Sequence, residues 1–290
     1  MKIAYIGSPS PLSTIPLRRL LAAGRSVVAI AVAGERKPAP HNPKFPVLVE
    51  HSTSIASLAL HCRIALIELT RDWSGAAARL VRIAPDVILV SCIGRKLPED
   101  IVSIPRYGCF NLHPSLLPSF RGPAPVFWQF RAGVESFGIS LHCVTAEIDA
   151  GDVVAQTRVT MPDGVNGHQA NSWLAEAGSR LVEAAMCSIE RGWLRHCAQS
   201  SSEASYQGFP SPADYAVSTL WTARRMYNFI CANRSPGIVF PCQVDGRIYR
   251  LTAAKSYRDG GRVRTAVEGD IISINCRQGV VEAVCAAGDK

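Results

Sequence analysis

The sequence has no apolar run long enough to cross a membrane. Among its 290 residues, the most apolar stretches, 26–34 and 85–94, each reach a glycine within ten positions, whereas a transmembrane helix needs about 20 apolar residues. The first residues, MKIAYIG, carry one lysine and a short apolar run, which is too brief for a secretory signal. We therefore expect a soluble protein without a targeting segment.

Metal-binding motifs are also missing. The ten cysteines are scattered, without a C-x-x-C motif or a paired Cys/His spacing, so no zinc site or other metal site is expected. Several of them, such as Cys62 and Cys92, lie in apolar stretches, where reduced thiols behave as small hydrophobic side chains. Free thiols of this kind predict a reducing, cytoplasmic location.

The common nucleotide and hydrolase motifs are absent as well. The first predicted strand is followed by GSPSPLS rather than by G-x-G-x-x-G, and the sequence contains no G-x-x-x-x-G-K-[ST], H-E-x-x-H or G-x-S-x-G motif. These absences disfavour a dehydrogenase or a P-loop protein. The net charge of +8 would attract nucleotides, nucleic acid or other anionic substrates without selecting among them.

The first 110 residues alternate short apolar runs with helical stretches, which predicts an α/β fold with a doubly wound, mostly parallel, Rossmann-like sheet. The predicted strands lack alternation because both of their faces would be buried. We expect strands at 2–7, 26–33, 63–69, 86–93 and 108–113, and helices at 13–24, 47–61 and 74–83.

The rest of the chain predicts further elements and a second domain. A helix near 124–132, strands at 137–145 and 152–161 and a long helix at 168–192 are expected to complete the first domain. A Ser/Pro/Gly-rich stretch without periodicity then predicts a linker. Beyond it, a helix at 221–233 precedes short β-like pieces with DG and EGD turns, which predicts a small, OB-like β-barrel. The expected domains are therefore 1–196, a linker at 197–215, and 216–290.

Asn111 and His113 are the first candidates for catalysis. Both lie at the carboxyl end of the fifth predicted strand, where open parallel sheets bind their ligands. Residues two apart in a strand point to the same face, so the two side chains project together. An amide can stabilise a developing oxyanion, and an imidazole can move a proton near neutral pH. Taken alone, the pair is more simply interpreted as a turn asparagine and a structural histidine.

The surrounding motifs resemble a known family. NLHPSLLPSFRGPAP (111–125), followed by EIDAGDVVAQ (147–156), is similar to the formyltransferases that use 10-formyltetrahydrofolate, over roughly residues 1–190. The tail resembles, less specifically, the small barrel of the methionyl-tRNA and sugar-amine formyltransferases. The resemblance implies an enzyme that moves a formyl group from this co-substrate to an amine.

By this resemblance, Asn111, His113 and Asp149 form the catalytic trio. Asn111 would hydrogen-bond the formyl oxygen. His113 would take the proton of the attacking amine, or would stabilise the oxyanion in its protonated form. Asp149 would set the charge and orientation of His113. Without the resemblance, Asp149 is more simply interpreted as a turn aspartate.

Binding residues are implied less directly. In the family, the pterin binds main-chain groups of the segments that correspond to 93–97 and 147–148 here, which makes Arg95, Leu97 and Ile148 candidates for the folate site. Ser8 and Arg121 are candidates for binding the acceptor. The signature loop, expected to shape the entrance between the two ligands, consists of Ser115, Leu116, Leu117 and Pro118.

The acceptor is predicted by departures from the family pattern. GERKPAPHNPKFPVLVE (34–50) has little glycine, and RGPAPVFWQF replaces RGAAPIQ. These departures favour a small, anionic amine, such as an amino-sugar nucleotide or an amino-acid derivative, with initiator tRNA as the alternative. A non-catalytic folate- or nucleotide-binding protein is the hypothesis from another class. No oligomeric state is predicted.

Overall fold

The computed structural model describes residues 1–33, 55–70 and 72–287. A seven-stranded sheet has the order β3-β2-β1-β4-β5-β6-β7. Its first five strands are mutually parallel, and β6 runs antiparallel to β5. The strands are β1 (Lys2–Gly7), β2 (Ser26–Ala33), β3 (Ala65–Leu69), β4 (Val87–Ser91), β5 (Cys109–His113), β6 (Phe137–Cys143) and β7 (Val153–Val159). The predicted α/β, mostly parallel sheet is confirmed.

The helices follow the predicted order with shifted ends. The predicted helix at 47–61 lies partly outside the described residues, and its described part is α2. The four-residue helix α4 was not predicted, because a single turn shows no periodicity. The helices are α1 (Pro11–Ala22), α2 (Ile55–His61), α3 (Ser74–Ile83), α4 (Glu99–Val102), α5 (Pro125–Ala132), α6 (Gly167–Glu190) and α7 (Ala223–Asn233). Within the described ranges, no helix combines the length and apolar character needed to cross a membrane.

The centre of the large sheet is its most apolar part. Every residue of β4 is buried, as the continuous apolar run VILVS predicts for a strand covered on both faces. At its end, the Ser91 hydroxyl donates to Leu12 O (2.6 Å), and Ser13 Oγ donates to Ser91 O (2.7 Å). These buried bonds attach the start of α1 to the carboxyl end of β4.

A second, five-stranded sheet is antiparallel throughout, with the order β10-β11-β12-β9-β8. Asp245 and Gly246 both have positive φ (49° and 83°), which suits a tight hairpin turn between β8 and β9. The predicted small β domain is confirmed in this sheet, although β12 was not predicted. Its strands are β8 (Phe240–Val244), β9 (Arg247–Arg258), β10 (Val267–Glu268), β11 (Ile271–Asn275) and β12 (Val280–Cys285).

The described residues group into two compact units. The first comprises Met1–Pro123, Gly138–Thr157 and Leu174–Ser205, and the second comprises Ala124–Phe137, Arg158–Trp173 and Tyr206–Lys290. The second unit includes two segments from the middle of the chain. These segments belong to it because α5 packs on α7 and Asp163 pairs with Arg224 (2.8 Å). The predicted boundaries at 196 and 215 stay a prediction. The candidate site described next lies wholly in the first unit.

Candidate active site

The β5–β6 strand pair carries an amide and two imidazoles on one face, with the Ser140 hydroxyl opposite His113. Asn111 and His113 lie two residues apart on β5, and the antiparallel register places His142 of β6 directly opposite Asn111. Cross-strand partners point to the same face of a sheet. Both histidines are buried, with 4% of His113 and 2% of His142 exposed. The strand pair therefore brings an amide and two imidazoles together away from bulk water.

The Asp149 carboxylate lies among these groups. Its Oδ1 accepts a hydrogen bond from Asn111 Nδ2 (3.2 Å) and lies 3.4 Å from His142 Nε2. Its Oδ2 accepts from the main-chain N–H of Gly122 (2.9 Å) and lies 3.5 Å from His113 Nδ1. The structure thus brings together all three residues predicted as the catalytic trio, and adds His142.

Hydrogen bonds to main-chain carbonyls determine which histidine nitrogens carry hydrogen. His113 Nε2 lies 2.9 Å from Phe120 O, and His142 Nδ1 lies 2.8 Å from Cys143 O. Since a carbonyl oxygen only accepts, both of these nitrogens are donors. The nitrogen of His113 left to gain or lose a proton is therefore Nδ1, beside Asp149. In the other ring, His142 Nε2 accepts from Asn111 Nδ2 (3.1 Å).

The surroundings of Asp149 and His113 give the two side chains different charges at neutral pH. Burial would raise the pKa of Asp149, but His113, His142 and the Gly122 N–H together lower it to about 2. Burial also lowers the pKa of His113, and this effect outweighs the opposing attraction of the Asp149 carboxylate. At neutral pH, the site consequently holds an ionised carboxylate beside a neutral imidazole. Such a pair can accept a proton and then stabilise the resulting imidazolium.

The loop that carries Asp149 has a constrained backbone. Asp149 adopts a left-handed conformation (φ 53°), which Asp and Asn tolerate better than most residues. Two residues later, a Cβ added to Gly151 would lie 2.0 Å from Cys143 O. Glycine at 151 therefore permits the close approach of this loop to the end of β6.

Hydrogen bonds hold the predicted signature loop in place. Leu117 N donates to Ser140 Oγ (3.1 Å), which donates in turn to Ser115 O (2.7 Å). Ser115 Oγ donates to Ser119 O (2.7 Å), Leu116 packs beside Gly138, and Leu117 is buried next to a cis peptide bond to Pro118. The loop is thus attached to β6. Its contact with a ligand remains a prediction.

The residues predicted for folate lie in different surroundings. The Arg95 guanidinium donates to Leu69 O (3.1 Å) and Thr70 O (3.0 Å) and lies 4.3 Å above the Trp73 ring. Leu97 is buried in the core beside the large sheet. Ile148, in contrast, is 45% exposed, although it adjoins Asp149. Of the three side chains, Ile148 is the most accessible to a ligand.

The two residues predicted for the acceptor already have partners within the chain. Ser8 follows β1, and its main-chain N–H donates to Ser13 Oγ (3.1 Å). Arg121 donates from Nε (3.1 Å) and Nη2 (2.8 Å) to Gln199 Oε1. The basic segment 34–50 lies outside the described residues. The predicted assignments of Ser8 and Arg121 stay predictions.

His142 is the site residue that sequence reasoning missed. Its strand was predicted, but nothing singled out this histidine from the run FGISLHCVT. The available signal was positional, since an antiparallel partner for β5 would place one residue of the next strand opposite Asn111. That signal requires the strand register, which the sequence pattern alone leaves open.

The doubly wound sheet and the buried cluster of one carboxylate and two imidazoles are typical of an α/β enzyme. In agreement, the family described as formyl transferase matches residues 1–185. The chain is 30% identical over 214 residues to the methionyl-tRNA formyltransferase of Herpetosiphon aurantiacus, covering 74% of this chain and 68% of that protein. The chain therefore belongs to the formyl transferase family, as the resemblance in its motifs indicated.

Solved structures show a similar fold at low sequence identity. WlaRD, a sugar 3N-formyltransferase crystallised with dTDP and 5-N-formyl-THF, has a TM-score of 0.70 at 14% identity, over 99% of this chain and 98% of that one. HypX from Aquifex aeolicus, in complex with tetrahydrofolic acid, has a TM-score of 0.61 at 20% identity, over 98% of this chain. The chain spans only 43% of HypX.

Proposed function

We propose that this chain transfers a formyl group from 10-formyltetrahydrofolate to a primary amine. The observation that carries the proposal is the buried cluster in which Asp149 is ionised and lies 3.5 Å from the neutral His113. The folate co-substrate supplies an activated formyl group. The residues present suit such a donor, because an amide hydrogen bond and a proton acceptor are what acyl transfer to an amine requires.

The cluster assigns a task to each side chain. A primary amine attacks as the free base and must lose a proton, and His113 Nδ1 is the nitrogen available to accept it. The Asp149 carboxylate then stabilises the imidazolium. The lowered pKa of His113 favours this role over stabilisation of the oxyanion by a protonated ring. Asn111 now donates to His142 and to Asp149, and it would redirect one of its two amide hydrogens to the formyl oxygen.

Folate as the donor is supported by the motifs and by the structural neighbours. HypX was crystallised with tetrahydrofolic acid and WlaRD with 5-N-formyl-THF. In this chain, the folate would lie against the segments around Arg95, Leu97 and Ile148, with the signature loop 115–118 at its entrance. The ten free cysteines support a reducing, cytoplasmic location.

For the acceptor, we propose a small anionic amine. RGPAPVFWQF follows the signature loop in place of RGAAPIQ, and WlaRD, which acts on a sugar, was crystallised with dTDP. Initiator tRNA is the second candidate, because the curated relative from Herpetosiphon aurantiacus is a methionyl-tRNA formyltransferase. The net charge of +8 suits either acceptor.

Release of tetrahydrofolate tests the reaction itself. The purified chain would be incubated with 10-formyltetrahydrofolate in separate reactions. Each reaction would contain one kind of amine: an amino-sugar nucleotide, an amino acid or aminoacylated initiator tRNA. Amine-dependent release of tetrahydrofolate is the expected result. Tight folate binding without turnover on any amine would reject the enzyme and favour a non-catalytic folate-binding protein.

Salt dependence of binding separates the two acceptors. A tRNA that contacts several phosphates should lose affinity steeply, by about 10³-fold or more between 50 and 200 mM salt, because counterions are released on binding. A nucleotide sugar carries few charges and should respond far less. A steep dependence together with formylation of the tRNA would overturn the small-acceptor proposal.

A further inference from the structure

Residue Gln199 joins two loops of the candidate site. Its Nε2 donates to Asp149 O (2.8 Å) and to Gly151 O (2.6 Å). Its Oε1 accepts two bonds from the Arg121 guanidinium, from Nε (3.1 Å) and Nη2 (2.8 Å). A single side chain thus contacts the Asp149 loop on one side and the loop that follows the signature motif on the other.

The orientation of this amide follows from its partners. An arginine only donates, so the atom facing Arg121 must be the oxygen. The main-chain oxygens of Asp149 and Gly151 only accept, so the atom facing them must be the nitrogen. Both hydrogens and both lone pairs of the amide are therefore used. No other amino-acid side chain of this length offers two donors and an acceptor in that arrangement.

The chain around Gln199 is attached to the start of β7, just after the Asp149 loop, and to the loop that follows the signature motif. Val153 and Cys197 exchange a pair of main-chain hydrogen bonds (both 2.8 Å). Ser205 O accepts from Arg121 N (2.9 Å), and Ser205 Oγ accepts from Phe120 N (2.8 Å). These contacts fix both ends of the segment 197–205, so Gln199 is presented from a support that is itself attached to the site.

We propose that Gln199 is a positioning residue, which holds the Asp149 carboxylate beside His113 and through which Arg121 acts. The inference rests on the proposed formyl transfer. Asp149 has a left-handed backbone conformation (φ 53°). For a residue other than glycine this conformation is less stable than the ordinary ones, so neighbouring groups must hold it. The amide of Gln199 holds the carbonyl oxygens of Asp149 and of Gly151, one on either side of the intervening peptide unit. Arg121, in turn, keeps the amide from rotating.

The test compares Gln199→Met, which keeps the length of the side chain and removes its polar atoms, with Gln243→Met, the same change on an exposed position of β8. Displacement of a catalytic group by about 1 Å costs about 100-fold in rate. We expect Gln199→Met to lower kcat about 10- to 100-fold, with KM for the formyl donor within about twofold of wild type. Gln243→Met should leave both constants unchanged.

Two readouts separate positioning from a merely structural role. When Asp149 moves away, His113 loses the carboxylate that raises its pKa, so the acid limb of the pH–rate profile should move to lower pH in Gln199→Met. An NMR titration of the His113 ring should show the same downward change without any turnover. The titration therefore remains informative even if wild-type protein fails to transfer formyl groups, which would reject the proposed function separately.

A double-mutant cycle tests the part assigned to Arg121. If Arg121 acts through Gln199, Arg121→Met combined with Gln199→Met should be no slower than Gln199→Met alone. Multiplying losses would instead assign Arg121 a direct contact with the acceptor. Should Gln199→Met fail to fold, Gln199→Asn retains a neutral amide that is one methylene too short. A folded Gln199 variant with wild-type kcat and an unchanged His113 titration would overturn the proposal.

Discussion

Replacing Asp149 by Asn removes one buried charge and nearly preserves the shape of the side chain. The carboxylate is 11% exposed and lies within 3.5 Å of both histidines and of the Gly122 N–H. The substitution therefore removes the group that would stabilise a protonated His113. Because a positioned acid–base pair contributes about 10²- to 10⁴-fold to a rate, we expect formyl transfer to fall at least about 100-fold.

The same substitution should lower the free energy of unfolding by an amount that depends on pH. The pKa of Asp149 is about 2 in the folded protein, against about 4 in an unfolded chain. A depressed carboxyl pKa contributes stability above the unfolded value, here about 2.5 kcal/mol, and this contribution is lost as the pH falls through the folded value. The contribution should therefore be present in full above about pH 5 and be lost as the pH falls toward 2.

Urea unfolding of wild type and Asp149→Asn at pH 7, 5 and 3 provides the measurement. The difference in unfolding free energy should reach about 2.5 kcal/mol near pH 5 and decline to about half by pH 3. The change of this free-energy difference with pH does not depend on how well the asparagine packs, because packing involves no group that gains or loses a proton. A difference that is constant from pH 5 to pH 3 would refute the assigned charge of Asp149, and transfer at more than a tenth of the wild-type rate would refute its role.

Three further substitutions test the site. His113→Ala should abolish amine-dependent release of tetrahydrofolate while retaining the thermal unfolding midpoint within a few degrees; a rate near wild type would reject His113 as the base. His142→Gln should lower kcat about fivefold, the value of about one hydrogen bond, and an unchanged kcat would show that Asn111 does not depend on this contact. Gly151→Ala should destabilise the protein by about 1–3 kcal/mol, measured by urea unfolding, because its Cβ would lie 2.0 Å from Cys143 O; no loss would mean that the loop adapts.

The part of the site carried by β5 could be predicted from the sequence. The two-residue period of a strand places Asn111 and His113 on one face, and the structure shows the same strand at Cys109–His113. Asp149 was predicted only through the family resemblance. Its distance of 3.5 Å from His113 depends on a loop return that no local pattern encodes.

Residues that act across the sheet or from outside it were harder to predict. His142 contributes because of the β5–β6 register, and one strand's pattern does not determine its neighbour's register. The stretch 197–215 has no periodicity and was interpreted as a linker. Its contacts are hydrogen bonds from individual side chains and main-chain groups, such as those of Gln199 and Ser205, which leave no repeating signal in a sequence.

The three titratable groups of the site each use a main-chain partner: Phe120 O for His113, Cys143 O for His142, and Gly122 N for Asp149. Every amino acid supplies the same carbonyl oxygen, so the side chain at 143 can diverge without loss of its bond. Positions 120 and 122 are more restricted, because Phe120 and Gly122 have positive φ (60° and 111°), which side chains other than that of glycine adopt at a cost. The proton-handling centre therefore depends on backbone conformation at two of its three main-chain partners, and a substitution there can disturb the centre without altering any of its titratable side chains.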